Sequence, residues 1–211
     1  HHLFADLLRQ RLLQQPRLLL QTRLLRSSTL STGEEKGGVD ELHRRASEWY
    51  EHNGSTDNAI RHALAADDFE RAATLIELAI PEMRRNRQGA TVTELGWLKA
   101  LPDELVRFRP VLCVDYAYAL FGAGELGGVE PRLRDAERWL HTTADGHARP
   151  ESPAEGMVVV DEEEFRRLPG MIALLRAAQA LARGDMPEAA KNARRVLDLA
   201  PEDAHLMLGG A

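Results

Sequence analysis

The stretch ALARGDMPEAAKNARRVLDLAPED, residues 180–203, decides the fold. Its composition predicts the end of one helix, a turn at Gly184 and a second helix that stops before Pro201. Glycine suits a chain reversal because it adopts a positive φ without steric cost, whereas proline cannot extend the helix before it. The small side chain of Ala189 lets two antiparallel helices approach closely. The stretch therefore predicts a helical hairpin.

The same design recurs along the chain, with a turn residue followed about five positions later by a small residue in the next helix. The copies are Gly54…Ala59, Gly124…Val129, Gly184…Ala189 and, more loosely, Asp68…Ala72. One hairpin cannot bury its apolar face alone, so such units must stack on their neighbours. Residues 180–203 resemble the second half of a tetratricopeptide repeat (TPR). We therefore predict an all-α fold of TPR-like antiparallel hairpins in a right-handed α-α superhelix; a non-repetitive helical bundle is the alternative.

Composition supports a helical globular protein. The 211 residues are 44% apolar but only 5% aromatic, which favours helix over sheet. The formal net charge of −6 gives no reason to expect nucleic-acid binding by this segment. The single cysteine, Cys113, excludes an internal disulfide framework and fits a reducing compartment. We expect that compartment to be the cytoplasm, and we expect no membrane contact because no stretch approaches the roughly 18 uninterrupted apolar residues of a membrane span.

Breaks in the helical pattern suggest three parts. Residues 1–15 predict a Leu-rich helix, and residues 16–39 predict a linker or insertion rich in Ser, Thr and Gly near its end. From Asp40, a candidate N-cap, the repeat segment runs over residues 40–211. Residues 142–160 interrupt it with a long loop that contains Gly, Pro and Ser.

Several blocks, in order along the chain, resemble the sensor region of the MalT-like, LuxR-type ATP-dependent transcription regulators. The first block resembles the end of the winged-helix piece that follows their NTPase domain, and the others resemble successive sensor hairpins. The blocks are HHLFADLLRQRL (1–12), LHRRASEWYEHNG (42–54), AIRHALAADDFERAATLIE (59–77), WLKALPDELVRFRPVLCVDYAYALFGAGEL (97–126) and LLRAAQALARGDMPEAAKNARRVLDLAPED (174–203). The resemblance implies a regulator in which ATP binds an NTPase module and DNA binds a C-terminal helix-turn-helix.

The sequence lacks the GxxxxGK[ST] phosphate loop and a persuasive basic recognition helix. We therefore expect a sensor fragment without a cofactor or catalytic activity of its own. The resemblance implies a small-molecule inducer or a regulatory protein as its partner, and self-association of the full-length protein. DNA contact would occur only through the C-terminal domain. A free-standing TPR-like adaptor for protein partners is the alternative.

The aromatic residues are the candidates for a ligand or partner groove, because Trp and Tyr combine a large area with one polar group. The concave surface of a solenoid is where such residues commonly bind ligands. The candidate groove residues are Trp97, Trp139, Tyr118 and Trp49. The alternative, which also covers Tyr50, Tyr116 and Phe121, is packing within the hairpin cores.

Other chemical groups support weaker predictions. His43, His52 and His62 lack the spacing of a metal motif, so solvated or hydrogen-bonded histidines are expected. Cys113 lies in the most apolar predicted helix and is expected to be core packing rather than a nucleophile.

Two charged runs are also expected to be structural. Asp161 to Glu164 predict a solvated helix start, because acidic residues complement the dipole there. Arg84, Arg85 and Arg87 predict a solvated surface run, with a phosphate or nucleic-acid contact as the alternative.

Overall fold

The computed structural model describes residues 32–85, 91–141 and 156–199. The predicted all-α class is confirmed, since these ranges contain nine α-helices, one 3₁₀ turn and no strand. The helices are α1 (Thr32–His52), α2 (Thr56–Ala65), α3 (Phe69–Arg85), α4 (Thr91–Ala100), α5 (Asp103–Arg107), α6 (Pro110–Gly122), α7 (Val129–His141), α8 (Glu162–Ala182) and α9 (Met186–Leu199), and the 3₁₀ turn is Leu126–Gly128. The chain divides into two compact units, His1–Leu42 and His43–Ala211.

The second unit is built from helical hairpins. Helix α2 packs on α3, α6 on α7 and α8 on α9, and each pair is joined by a short connection. Helix α6 is central because it also contacts α3, α4, α5 and α8. Its residues from Pro110 to Ala117 are all buried, as the nearly continuous apolar sequence predicts. Stacked hairpins agree with the repeat interpretation, while the right-handed superhelix stays a prediction.

Four connections share one backbone geometry. A residue with positive φ ends each preceding helix, and the next residue's N–H bonds to the carbonyl oxygen five positions back at 2.9–3.0 Å. This is the Schellman arrangement, which satisfies carbonyls left over at a helix C-terminus. Five positions after the positive-φ residue, the side chain is at most 5% exposed. The positions are Gly54…Ala59, Asp67…Ala72, Gly124…Val129 and Gly184…Ala189.

This geometry corrects the fourth predicted copy. The positive φ of 53° falls on Asp67, not on Asp68. Asp68 instead follows the turn, and its carboxylate accepts a hydrogen bond from the Arg71 N–H at 3.3 Å. The fourth copy therefore begins at Asp67, one residue earlier than predicted. The spacing from Asp67 to Ala72 is five residues, as in the other three copies.

The start of one helix differs from the sequence prediction, and two helices continue through a proline. Helix α1 begins at Thr32, so the end of the predicted linker is helical and Asp40 lies inside the helix. Pro81 lies within α3, and Pro169 lies within α8. A proline removes one backbone donor, and packing of the flanking residues on the core offsets that loss.

Some predictions fall outside the described residues. They are the winged-helix end at 1–15, the linker up to residue 31 and most of the loop at 142–160. The end of that loop, residues 156–160, has no regular structure, and its Val158 N–H donates to Phe108 O at 2.9 Å. Among the described helices, none has the length and apolar character to cross a membrane.

Candidate functional site

A concave site lies between α5 and α7 in the described part of the chain. It is a pocket of about 410 Å³ lined by Glu104, Arg107, Phe108, Arg138 and Trp139. This volume falls within the range of roughly 300–1,000 Å³ typical of small-molecule sites. The Phe108 and Trp139 rings form its apolar part, with centroids 5.8 Å apart and planes tilted by 46°.

Backbone groups lie next to both rings, and one of them bonds to the Trp139 indole. Helix α5 ends at Arg107, and its carbonyl oxygen accepts a 2.8 Å hydrogen bond from Trp139 Nε1. The segment after the loop covers the other side of Phe108. There, a Cβ atom on Gly156, at φ 95°, would lie 3.1 Å from the Phe108 ring. Phe108 still remains 46% exposed, which is notable for an aromatic side chain that has neighbours on two sides.

The guanidinium groups at the pocket rim are held by carboxylates. Arg107 lies 2.9 Å from Asp103 and 3.8 Å from Asp135, and Arg138 donates to Asp135 at 2.6 Å. Arg132 also bonds to Asp103, and this bond is the main reason why the pKa of Asp103 is lowered. The rim is therefore polar, its two arginine side chains are held in fixed orientations, and their positive charges are largely neutralised by Asp103 and Asp135.

The four predicted groove residues have different surroundings. Trp97 is 6% exposed and belongs to the core, which is the packing alternative given above. Trp139 lines the pocket. Tyr118 is 37% exposed and lies beside Arg84, whose guanidinium carbon is 5.8 Å from the ring centroid. Trp49 is 50% exposed and packs edge-on against Tyr50 at 5.0 Å.

Phe108 was missed by the sequence analysis. It lies between Arg107 and Arg109, so no apolar periodicity marks it. Its partner Trp139 is on a separate helix, and only the fold brings the two rings together. One sequence feature could have pointed to Phe108. It directly follows a helix of five residues, which is too short to bury every apolar side chain at its end.

A second cluster of chemical groups is buried between α3, α6 and α8. Arg109, the residue before α6, is 3% exposed and donates to Glu77 at 3.3 Å and to Glu70 at 2.8 Å. Arg84 donates to Asp115 at 2.6 Å and to Glu164 at 3.3 Å. We call Arg84, Arg109, Glu77, Asp115 and Glu164 the buried ion cluster; Glu70, whose side chain is 72% exposed, reaches Arg109 from the surface.

Burial dominates the electrostatics of the buried ion cluster. It raises the pKa of Asp115 to about 7, although the pairing with Arg84 acts in the opposite direction. Burial also raises the pKa of Glu77, against the Val160 N–H and Arg109. Among the described residues, two buried polar atoms lack a hydrogen-bond partner, Asp115 Oδ2 and Arg109 Nε. Such atoms are costly, so this region is unlike an ordinary core.

The cluster corrects two predictions. Arg84 was expected on a solvated surface run, but its side chain is 19% exposed and ion-paired; Arg87 lies outside the described residues. Asp161 caps α8 by accepting from the N–H groups of Glu163 and Glu164, as a helix start should. Glu164, however, is 8% exposed rather than solvated. In both cases the partner lies on a helix distant in sequence.

The remaining groups behave as packing or hydrogen-bonded residues. Cys113 is fully buried, its thiol contacts Val106 O at 3.1 Å, and burial raises its pKa to about 12. The core assignment of Cys113 is therefore confirmed. The Nδ1 atoms of His43 and His62 are hydrogen-bonded to each other at 2.8 Å. Burial is the main reason why the pKa of His62 is lowered, and the neighbouring His43 lowers that pKa further. Tyr50 stacks on His62 at 5.3 Å. No group of three potential metal ligands occurs in the described ranges.

Comparisons with known proteins give one partial similarity. No protein-family model matches the chain, and no solved structure is significantly similar. The chain is 34% identical to the serine/threonine-protein kinase PknK of Mycobacterium tuberculosis (strain CDC 1551 / Oshkosh) over 155 residues. This aligned region covers 69% of the chain. PknK of Mycobacterium tuberculosis (strain ATCC 25618 / H37Rv) and of Mycobacterium bovis give the same values. The chain spans only 12% of the length of these curated relatives.

Proposed function

We propose that this chain is a signal-sensing segment of a larger bacterial regulatory protein. In this proposal the Phe108–Trp139 pocket binds a small-molecule inducer or a segment of a regulatory protein. Binding shifts the balance between a resting and a self-associating form of the whole protein. ATP and DNA would bind other modules, as in the MalT-like, LuxR-type regulators that the sequence resembles, and this segment would catalyse no reaction.

The pocket is the observation that carries the proposal. It combines two aromatic rings, a fixed indole N–H and oriented charged groups at the rim, which is the usual make-up of a small-molecule site. The similarity to a short part of a long kinase supports a segment role. The 211 residues contain neither H-R-D nor D-F-G, two motifs of kinase catalysis.

The adaptor alternative is favoured by exposed apolar side chains on the last described hairpin. Leu174 and Leu181 of α8 are 49% and 55% exposed, and Met186 and Leu197 of α9 are 62% and 46% exposed. Several exposed apolar side chains on one hairpin are a feature that can mark a protein contact. A protein partner on this hairpin would leave the Phe108–Trp139 pocket unchanged, and this difference separates the two functions experimentally.

A thermal-unfolding screen of the chain against sugars, small metabolites and nucleotides tests the proposal. A ligand at 100 times its Kd stabilises by about 2.7 kcal/mol. For a chain of this size each kcal/mol raises Tm by roughly 2–4 °C. We expect a saturable shift with one class of compound in the unmodified chain and its loss in Phe108→Ala. Leu126→Ala is the matched control, because Leu126 is also a partly exposed apolar residue but does not line the pocket.

Two outcomes would contradict the proposal. A shift that persists at full size in Phe108→Ala would place the ligand elsewhere. A shift with ATP alone would contradict the assignment of nucleotide binding to another module. A protein partner whose binding is lost in Leu181→Ala, but not in Phe108→Ala, would favour the adaptor function.

A further inference from the structure

Helix α9 carries an apolar stripe that is exposed in the described part of the chain. Its four members follow one another at intervals of four, three and four residues, so they lie on one face of the helix. Met186 is 62% exposed and Leu197 is 46% exposed, and Ala190 and Ala193 between them are exposed too. We call these four residues the α9 stripe. An apolar helix face of this kind is normally buried against another element.

The repeat register marks the α9 stripe as a place where a helix docks. In each copy, one residue lies nine positions after the positive-φ turn residue. This residue is fully buried in the first three copies, as Ala63, Ile76 and Leu133, and exposed in the fourth, as Ala193. The equivalent faces of α2, α3 and α7 are thus covered by neighbouring helices, whereas that of α9 lacks a covering helix among the described residues.

Helix α7 shows what covers the equivalent stripe in an earlier copy. Arg176 of α8 bonds to Glu130 at 2.9 Å and to Glu137 at 2.6 Å. These glutamates lie six and thirteen positions after the turn glycine of their copy, and Ala190 and Leu197 take the same positions in the α9 stripe. The occupant expected on the α9 stripe is therefore a helix as well. Its contact face is apolar, because an arginine without a partner would be costly there.

The α9 stripe is complementary to a second copy of itself. Its side chains run large, small, small, large, and this order is the same in both directions. When two copies of α9 cross antiparallel about a two-fold axis, Met186 of one copy meets Leu197 of the other, and Ala190 meets Ala193. The alanines at the centre let the two helices approach closely. A single contact between two copies thus covers both exposed stripes.

Charge does not oppose this contact. The chain has a formal net charge of −6, which makes two copies repel each other in general. From Arg183 to Asp198, however, the four basic and three acidic side chains nearly cancel. The members of the α9 stripe carry no charge themselves. Helix α9 is therefore a region where two copies approach without strong repulsion.

We propose that the α9 stripe is a self-association surface, on which two copies of this chain pair through an antiparallel α9–α9 contact. Leu174 and Leu181 of α8 are also exposed and add apolar area on the same hairpin. The inference rests on the proposed function in one respect, because it supplies the surface on which the self-associating form assembles. The Phe108–Trp139 pocket does not enter it, so the surface and the pocket can be tested apart.

Sedimentation velocity of the chain at concentrations up to about 1 mM tests the surface. We expect a reversible dimer in the unmodified chain. Ala193→Glu and Ala190→Lys should each weaken dimerisation at least about tenfold, because each places a charge in the apolar contact. Ala65→Glu, at an exposed alanine that ends α2, is the matched control and should dimerise like the unmodified chain. Far-UV circular dichroism checks that each variant keeps its helices.

An equimolar mixture of Ala193→Glu and Ala190→Lys gives the sharpest test. In the antiparallel contact, the introduced carboxylate of one copy faces the introduced ammonium group of the other, and the remaining two alanines meet as before. Opposite charges that face each other in a contact attract, so dimerisation should return in the mixture as a mixed dimer.

Three results would overturn the proposal. A chain that stays monomeric over the whole concentration range would mean that another occupant covers the α9 stripe. A dimer that persists in Ala193→Glu would place the contact elsewhere. Variants that are monomeric both alone and mixed would overturn the antiparallel arrangement. None of these results alters the ligand-dependent rise in Tm that is lost in Phe108→Ala, so failure of this surface is distinguishable from failure of the pocket.

Discussion

Phe108 and Arg109 are neighbours in sequence but have opposite environments. The aromatic side chain is 46% exposed and lines a pocket, while the cationic side chain is 3% exposed and pairs with two glutamates. The usual preference would place phenylalanine inside and arginine outside. The inversion occurs where α5 ends and α6 begins, so one chain reversal serves both the surface pocket and the buried ion cluster.

The two environments allow stability and function to be separated experimentally in this protein. A buried cation must be paired, because loss of its partner leaves an uncompensated charge. Substitutions at Arg109 should therefore change mainly the free energy of unfolding. An exposed aromatic ring contributes little to folding, so the surface side should control binding. Substitutions on the two sides should therefore have effects of different size on different measurements.

The largest expected effect is that of Arg109→Met. This change leaves Glu77, which is fully buried, without its guanidinium partner. Removing one member of a buried pair costs about 3–5 kcal/mol. Urea denaturation should show this loss in the free energy of unfolding.

The double variant Arg109→Met with Glu77→Met is the control for that effect. Two apolar side chains of similar size should restore most of the stability, because neither leaves a buried charge. A single variant within about 1 kcal/mol of the unmodified chain would show that Arg109 is not the buried partner described here.

A smaller effect is expected for Phe108→Ala. Since about half of the ring is already exposed, truncation should cost about 1 kcal/mol in the same denaturation measurement. Leu112→Ala, at a fully buried position of α6, is the comparison and should cost about 2–5 kcal/mol. Equal losses for the two variants would mean that Phe108 is a core residue and that the contrast between the two sides is wrong.

Local signals in the sequence predicted the framework. Gly54, Gly124 and Gly184 identify turns because glycine adopts positive φ readily, and the helix predicted between Gly184 and Pro201 is α9. The turn at Asp67 was placed one residue late because aspartate at positive φ gives a weaker signal than glycine.

Long-range contacts limited the prediction of the site. Arg84 and Glu164 are 80 positions apart, so no local pattern could show that this arginine is buried. Trp139 was identified as a surface candidate, but its pairing with Phe108 depends on how α5 and α7 pack. Trp97 has the same residue type and a similar helical context, and packing alone makes it a core residue.

The three tryptophans allow the most direct test of the central claim, that the Phe108–Trp139 pocket is the binding site. Incorporation of 5-fluorotryptophan gives separate ¹⁹F signals for exposed Trp49, core Trp97 and pocket Trp139. Pools of sugars, metabolites and nucleotides that raise Tm would then be titrated into the labelled chain. We predict a saturable shift of the Trp139 signal, while the signals of Trp49 and Trp97 stay in place. A pool that raises Tm and moves Trp49 or Trp97, but leaves Trp139 unchanged, would contradict it.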